Sequence, residues 1–171
     1  MASIIKANQL QDFGGNSIIT SDGAGNVTVN AAAMKNTPAF FAYKDVTQTA
    51  ATGTATKVTF ATELFDTNSN FASSTFTPTT SGKYFVTANV SAQGNITTAA
   101  WICWLYKNGT AIARTNQYHS SGEPTSGLTT LVNMNGTTDT LEIYLYQTSG
   151  STQTMYQGQE YTYFGAYKII E

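Results

Sequence analysis

The residues equipped for chemistry are few. His119 is the chain's one histidine, and it stands in a polar stretch, His119-Ser120-Ser121-Gly122-Glu123-Pro124. A base, a hydroxyl and an acid all occur there. A catalytic triad is a three-dimensional constellation, however, and neighbours this close along the chain do not close one on themselves. The stretch reads as a loop with an exposed histidine. The carboxylates include Asp45, Glu63, Asp66, Glu123, Asp139, Glu142 and Glu160. Their spacing matches neither a calcium loop nor a zinc site, and they supply no acid pair for glycoside hydrolysis. No Gly-rich phosphate loop stands between a strand and a helix. Cys103 is the single cysteine, so no intrachain disulfide can form, and it reads as a small buried apolar residue rather than a reactive thiol. No catalytic residue, metal ligand or cofactor is expected, and the chain does not read as an enzyme.

Aromatic residues are in surplus instead. The chain has 10 Tyr and 9 Phe in 171 residues, more than one small core needs. Two uses fit: core plus scattered surface tyrosines, or a subunit interface, where Tyr and Phe are enriched. A sugar-binding platform is a third. Charge, by contrast, is sparse, at 11% charged residues and a formal net charge of −2. That leaves no basic footprint for nucleic acid. No apolar run is long enough to span a bilayer, and the first residues lack the apolar core of a signal peptide. Four Asn-x-Thr sequons, at Asn26, Asn95, Asn108 and Asn135, read as a by-product of Asn/Thr-rich turns.

Short alternating strands must carry these residues. Tyr84, Val86, Ala88 and Val90 fall on one face of a strand, with Phe85, Thr87, Asn89 and Ser91 on the other. Just before it, Phe65, Phe71 and Phe76 recur on a turn-rich segment, and all three are expected to plug the open end of a sandwich between its sheets. Residues 39–43 read as a first strand and 57–60 as a second, with a Thr/Ala/Gly loop at 47–56 between them. Residues 101–106 are apolar on both faces, so their second face needs cover. Asn108-Gly109 is a strong hairpin signal, leading into a return strand over about 111–118. Residues 128–134 and 141–146 are expected to pair across Asn135-Gly136. A polar loop over 149–159 precedes a last strand at 161–170. With no helical period, this is an all-β, antiparallel two-sheet sandwich.

Phe60, Asp66, Phe71, Phe76, Gly82 and Tyr84 resemble the pattern of C1q-type globular heads, in the jelly-roll superfamily shared with tumour necrosis factor. Leu105-Tyr106-Lys107-Asn108-Gly109 is similar to that family's strand-ending turn, residues 131–145 to its leucine and Gly-turn segment, and Tyr163-Phe164-Gly165-Ala166-Tyr167 to its closing strand. The resemblance covers about residues 38–171. Phe71 and Phe76 stand closer together than in the family pattern, and Val86 and Ala88 replace aromatics, which points to a distant, non-animal branch. The resemblance implies a homotrimer around an axis lined with apolar and aromatic side chains. Trp104, Tyr144, Tyr146, Tyr163 and Tyr167 are the candidates for that lining. Some relatives bind calcium, but no acidic cluster here carries that over.

Residues 1–35 differ. Ile4-Ile5, Leu10, Phe13, Ile18-Ile19, Val27 and Val29 form tiny apolar patches between Gly-rich turns. Alone they bury too little to fold, whereas three chains wound together would wall one another in. The stretch carrying Ile5-Lys6-Ala7-Asn8, Gly15-Asn16-Ser17-Ile18 and Ser21-Asp22-Gly23 resembles attachment regions of bacteriophage tail fibres and other virion appendages. A disordered tail is the alternative on composition. Residues 31–37 read as a linker with room for one helical turn. The expected organisation is an attachment and trimerisation segment at 1–35 and a C1q-like domain at 36–171. Two functions stay open. One is a non-enzymatic virion structural protein, a tail fibre, head fibre or capsid knob, assembled in the host cytoplasm, docked to other virion proteins through 1–35 and touching a host glycan or protein. The other is a soluble ligand- or glycan-binding module outside any virion. The receptor-binding residues are unknown from sequence.

Overall fold

The computed structural model describes residues 7–30, 35–115 and 117–170. The chain divides between Asn36 and Thr37 into two compact units. In the first, β1 (Gln9–Gln11), β2 (Ser17–Ser21) and β3 (Val27–Val29) form an antiparallel sheet in the order β1-β2-β3. Asp12 closes the first turn by accepting from the backbone N–H of Asn16, and Asp22 closes the second by accepting from Ala24 and Asn26. These side-chain-built turns are what Asp and Asn offer a short connection. Ile4-Ile5 and most of the expected helical turn lie outside the described residues.

The second unit is a sandwich. Its strands begin with β4 (Ala39–Tyr43), β5 (Gln48–Ala50), β6 (Thr56–Lys57), β7 (Thr62–Asp66), β8 (Phe71–Ala72) and β9 (Thr75–Phe76). The long strands β10 (Gly82–Gln93) and β11 (Ala99–Lys107) follow, then β12 (Thr110–Arg114), β13 (Tyr118–His119) and β14 (Thr125–Met134). β15 (Leu141–Gln147), β16 (Gln153–Met155) and β17 (Tyr163–Lys168) complete it. The first sheet runs β5-β16-β10-β17-β4-β7, with β14 on the other side of β10. The second runs β12-β11-β15-β9-β8, with β13 on β11 and β6 on β15. All the pairings are antiparallel, and no helix occurs among the described residues.

Alternation fills the space between the sheets. Tyr84, Val86, Ala88 and Val90 point in from β10 and meet Trp101, Cys103 and Leu105 of β11 and Leu141, Ile143 and Leu145 of β15, all buried. The indole N–H of Trp101 donates to the carbonyl of Val90 at 2.8 Å, so the buried donor ties one sheet to the other. Phe40 stacks on both Phe71 and Phe76 with ring centroids 4.5 Å apart, and meets Phe164 edge-on at 4.9 Å. Such offset and edge-to-face pairs add to simple burial.

Three expectations need correction. Phe65 is not between the sheets. β7 pairs with β4 so that Phe65 stands opposite the outward-facing Phe41, and half its surface is exposed. Residues 128–134 and 141–146 are not a hairpin, because β14 pairs with β10 and β15 with β11, placing them in opposite sheets. The Asn135 side chain accepts from the N–H groups of Thr137, Thr138 and Asp139 and shapes a crossover instead. Gly136 has φ +72°, and a Cβ there would come within 2.2 Å of the Ser81 nitrogen, so only glycine lets the two turns pass. Finally, His119 is half-buried on β13, paired with Ala99, and its Nε2 is enclosed with no hydrogen-bond partner among the described residues.

The polar loops at 47–56 and 149–159 also hold structure, since β5 and β16 pair with each other and extend the first sheet. The expected strand at 57–60 keeps only Lys57 in β6. Val58 still donates its N–H to the Ile143 carbonyl, and the N–H of Phe60 goes to the Ser74 hydroxyl.

Candidate interaction surfaces

Among the described residues no group of three or more His, Cys, Asp or Glu side chains could hold a metal ion. Cys103 is fully buried, and burial pushes its thiol well above the usual range, which removes the thiolate that reactivity needs. Asp139 is occupied structurally. It accepts from the Asn108 side chain at 2.8 Å, from the Asn135 backbone at 2.8 Å, and pairs with Lys107 at 2.8 Å. The Asn108 amide, then Lys107, hold its carboxyl down at about 2. This knot fastens the β11–β12 turn to the Asn135 crossover. The side-chain amides of two of the four sequon asparagines are committed here, that of Asn108 to Asp139 and that of Asn135 to Thr138.

Lys44 is the buried exception. It has 1% of its surface exposed, and its ammonium donates to the Gln48 amide oxygen at 3.0 Å and to the Thr59 carbonyl and hydroxyl at 3.3 and 3.1 Å. Burial pushes its amine down to about 8 against an opposing pull from Asp45. Gln48 serves as the hub, because its oxygen also accepts from the Thr59 N–H while its amide donates to the Lys57 carbonyl. These three acceptors satisfy the ammonium as part of the structure.

The outer face of the first sheet is aromatic and apolar. The register lines up Ala39, Tyr167, Phe85 and Leu131 as one row across β4, β17, β10 and β14. A second row runs Phe65, Phe41, Gly165, Thr87 and Thr129. Neither row contains a charged residue. Phe85 stacks on Tyr167 at 5.2 Å, Phe41 on Tyr163 at 5.3 Å, and Phe65 lies 6.5 Å from Phe41. A Cβ at Gly165 would meet the Phe41 ring at 2.8 Å, so this glycine is what lets that ring lie over β17. Leu131, Phe65 and Tyr167 remain 60%, 50% and 40% exposed.

The outer face of the second sheet carries a different aromatic group. Tyr144, Tyr106, Trp104 and Tyr146 form a ladder with successive centroids 4.2, 5.9 and 5.7 Å apart. Each ring is half-buried by its neighbours. At one end Lys57 pairs with Glu142 at 2.7 Å, with Thr75 bonded to both. Burial works to raise the Glu142 carboxyl, but the Lys57 and Thr75 hydrogen bonds outweigh it and hold it below its ordinary value. Tyr144 reaches the other Glu142 oxygen at 3.3 Å, and its phenol is pushed up by burial and by that carboxylate. Beside the ladder the Arg114 guanidinium lies over the Trp104 ring, 5.9 Å from its centroid. A groove of about 380 Å³ opens there, lined by Trp104, Ala111, Ile112, Ala113 and Arg114.

The five residues expected at one interface therefore lie on two surfaces. Tyr163 and Tyr167 share the first sheet; Trp104, Tyr144 and Tyr146 share the second. Phe71 and Phe76 are 5% and 0% exposed and meet around Phe40, whereas Phe65 belongs to the first outer face. Sequence reasoning missed Phe41, Phe85 and Leu131 as surface partners of Tyr167, and Arg114 as the partner of Trp104. The outward half of the alternation in β4 and β10 was the available signal for the first three.

Comparison with solved structures places this architecture. The globular domain of zebrafish complement 1qA aligns with a TM-score of 0.59 at 18% identity, over 77% of this chain and 97% of that one. Murine APRIL aligns with a TM-score of 0.58 at 10% identity, over 77% and 98%. Eiger TNF from S. frugiperda gives 0.57 at 9% identity, over 77% and 91%. At these identities the likeness is one of fold, and the fold is the C1q/TNF-like jelly roll. No protein-family model matches the chain, and no curated protein does.

Proposed function

We propose that the chain is a non-enzymatic homotrimeric binding head, with the outer face of the first sheet turned toward the three-fold axis. The observation that carries this is the pair of charge-free rows holding Leu131, Phe85, Tyr167, Phe41 and Phe65, bounded by Lys83 and Asn133, on which three large side chains stand 40–60% exposed. Soluble monomers rarely leave a contiguous apolar patch of this kind uncovered. Cyclic closure of three copies would bury it, and the fold shared with C1q and TNF domains fits that symmetry. Sedimentation or light scattering at micromolar concentration tests it. The expected mass is about three times the 18.3 kDa of one chain, unchanged between low and high salt, because screening weakens ion pairs and not apolar burial. A single-chain mass in both conditions overturns the trimer.

The setting we propose is a bacteriophage virion, with the N-terminal segment as the attachment piece. Two things support it: the resemblance of that segment to virion attachment regions, and the make-up of its sheet. Leu10 and Val27 on the strands and Phe13 in the first turn are all exposed, and the strands are only three to five residues long. Among the described residues such a sheet has no buried apolar side chain, and a sheet of this size needs another surface to complete it. Cryo-electron microscopy of the source particle tests this directly. Density for the chain on a tail or capsid is the expected result, and a chain found only free in solution favours the soluble binding module.

A further inference from the structure

We propose that the groove beside Trp104, on the outer face of the second sheet, binds a carboxylate-bearing sugar residue. Arg114 would hold the carboxylate, and the sugar's C–H face would lie against the aromatic ladder. The proposal rests on the reading above in one respect: in the trimer this face points away from the axis and is free to meet a ligand.

Charge selects the acidic group. This face and its margin carry three cations, and two are already neutralised: Lys57 by Glu142 and Lys107 by Asp139. Arg114 is exposed and, among the described residues, makes no ion pair; its contact is the Trp104 ring. A guanidinium held beside a ring keeps its donor fork for a planar carboxylate, which it can grip with two parallel bonds. Ring chemistry selects the rest of the ligand. Ile112, Ala111, Ala113 and Trp104 line the groove with apolar surface, and its volume of about 380 Å³ suits a small ring rather than a protein surface. The Trp104 indole N–H is enclosed and has no acceptor among the described residues. An unpaired buried donor is costly. A ligand oxygen that reached this N–H would supply the acceptor it lacks while the carboxylate engages Arg114. An acidic peptide is the competing occupant. It would add along β12, an edge strand of the second sheet, through main-chain bonds that make no use of Trp104.

The test uses the full chain, titrated with trigalacturonate and 3′-sialyllactose, and with galactotriose and hexaglutamate as controls. Calorimetry and tryptophan fluorescence are read together. At least one acidic sugar should bind and shift the emission, galactotriose should bind at least tenfold more weakly, and hexaglutamate should do neither. Arg114→Gln should weaken acidic-sugar binding at least tenfold, and Arg114→Lys should fall between, since it keeps the charge and loses the fork. Trp104→Phe should remove the fluorescence response while the protein stays folded. The proposal is overturned if neither acidic sugar binds at millimolar concentration, if Arg114→Gln binds like the parent, or if hexaglutamate binds equally well. Sedimentation of the same samples separates the two readings. A monomer that binds the sugar overturns the trimer alone, and a trimer that ignores it overturns this site alone.

Discussion

The two outer faces of the sandwich use similar residues to opposite ends. The first sheet presents Tyr167, Phe85, Leu131, Phe41 and Phe65 in uncharged rows and leaves three of them 40–60% exposed. The second sheet presents Tyr144, Tyr106, Trp104 and Tyr146, each half-covered by its neighbours and edged by an ion pair and an arginine. The number of aromatics does not separate them. What separates them is how far each face covers its own rings and carries charge. A ladder that stacks on itself and carries paired charges is stable against water, whereas flat rows lacking charge gain most from a second protein surface. On the proposed reading, the same residue type serves assembly on one side and recognition on the other.

The largest expected effect removes the frame that both faces share. Phe76 is fully buried and stacks on Phe40. Phe76→Ala should cost about 3–5 kcal/mol of folding stability, the usual loss for a truncated core Phe. Urea melts read it, and a loss under about 1 kcal/mol would mean that the aromatic cluster does not hold the sheets together.

Next comes the contrast between the faces themselves. Tyr167→Asp places three carboxylates around the proposed axis and should weaken association at least a hundredfold, ~2.8 kcal/mol. Tyr146→Asp, on the other sheet, should leave the trimer intact. Equal effects in analytical ultracentrifugation would erase the distinction between the faces, and the reverse pattern would move the axis to the second sheet.

A smaller effect lies with Lys44, packed inside rather than on either face. Its amine is lowered to about 8 by burial, from an ordinary 10.5. Between those values the unfolded chain binds more protons than the folded one, so stability should rise with pH from about 8 toward 10. The rise should be on the order of 1 kcal/mol. It should vanish in Lys44→Met, with ligand-free assembly unchanged. A flat profile in the parent would mean that the amine is charged at no cost where it sits.

Much of the fold was legible because alternation is a local signal. The inward set of β10, the Asn108-Gly109 turn, with φ of +51° and +75°, and the last strand all follow from residues close in sequence. What failed depended on partners far along the chain. β5 and β16 each bury one apolar residue, Ala50 and Met155, and they become strands only by pairing with each other and, for β16, with the end of β10. The Asn135 crossover looked like a hairpin because Asn-Gly serves either connection, and the choice lies with the sheets that receive β14 and β15. Trp104, Tyr144, Tyr146, Tyr163 and Tyr167 were legible as surplus, but alternation tells only inside from outside. It does not say which sheet, and so could not divide them.

The smallest expected effect on folding is the sharpest probe of that division. Phe65 looked like a core residue, yet it stands on the first outer face, half exposed, with its ring 6.5 Å from Phe41. In the isolated chain, its truncation removes one loose ring contact and leaves no enclosed cavity. Phe65→Ala should therefore cost under ~1 kcal/mol in folding, well below the cost at a fully buried Phe. If this face is the one that meets a neighbouring copy, the same side chain gains cover only on assembly. Its loss should then appear in the dissociation constant, by roughly tenfold or ~1.4 kcal/mol, rather than in the melt of the dissociated chain. The experiment is best done on a Tyr167→Asp background for folding and on the parent background for association. Should the folding cost come out near that of Phe76→Ala, Phe65 is packed inward after all. Should neither quantity move, the Phe65 end of the face lies outside the contact, and the axis runs closer to Leu131 and Phe85.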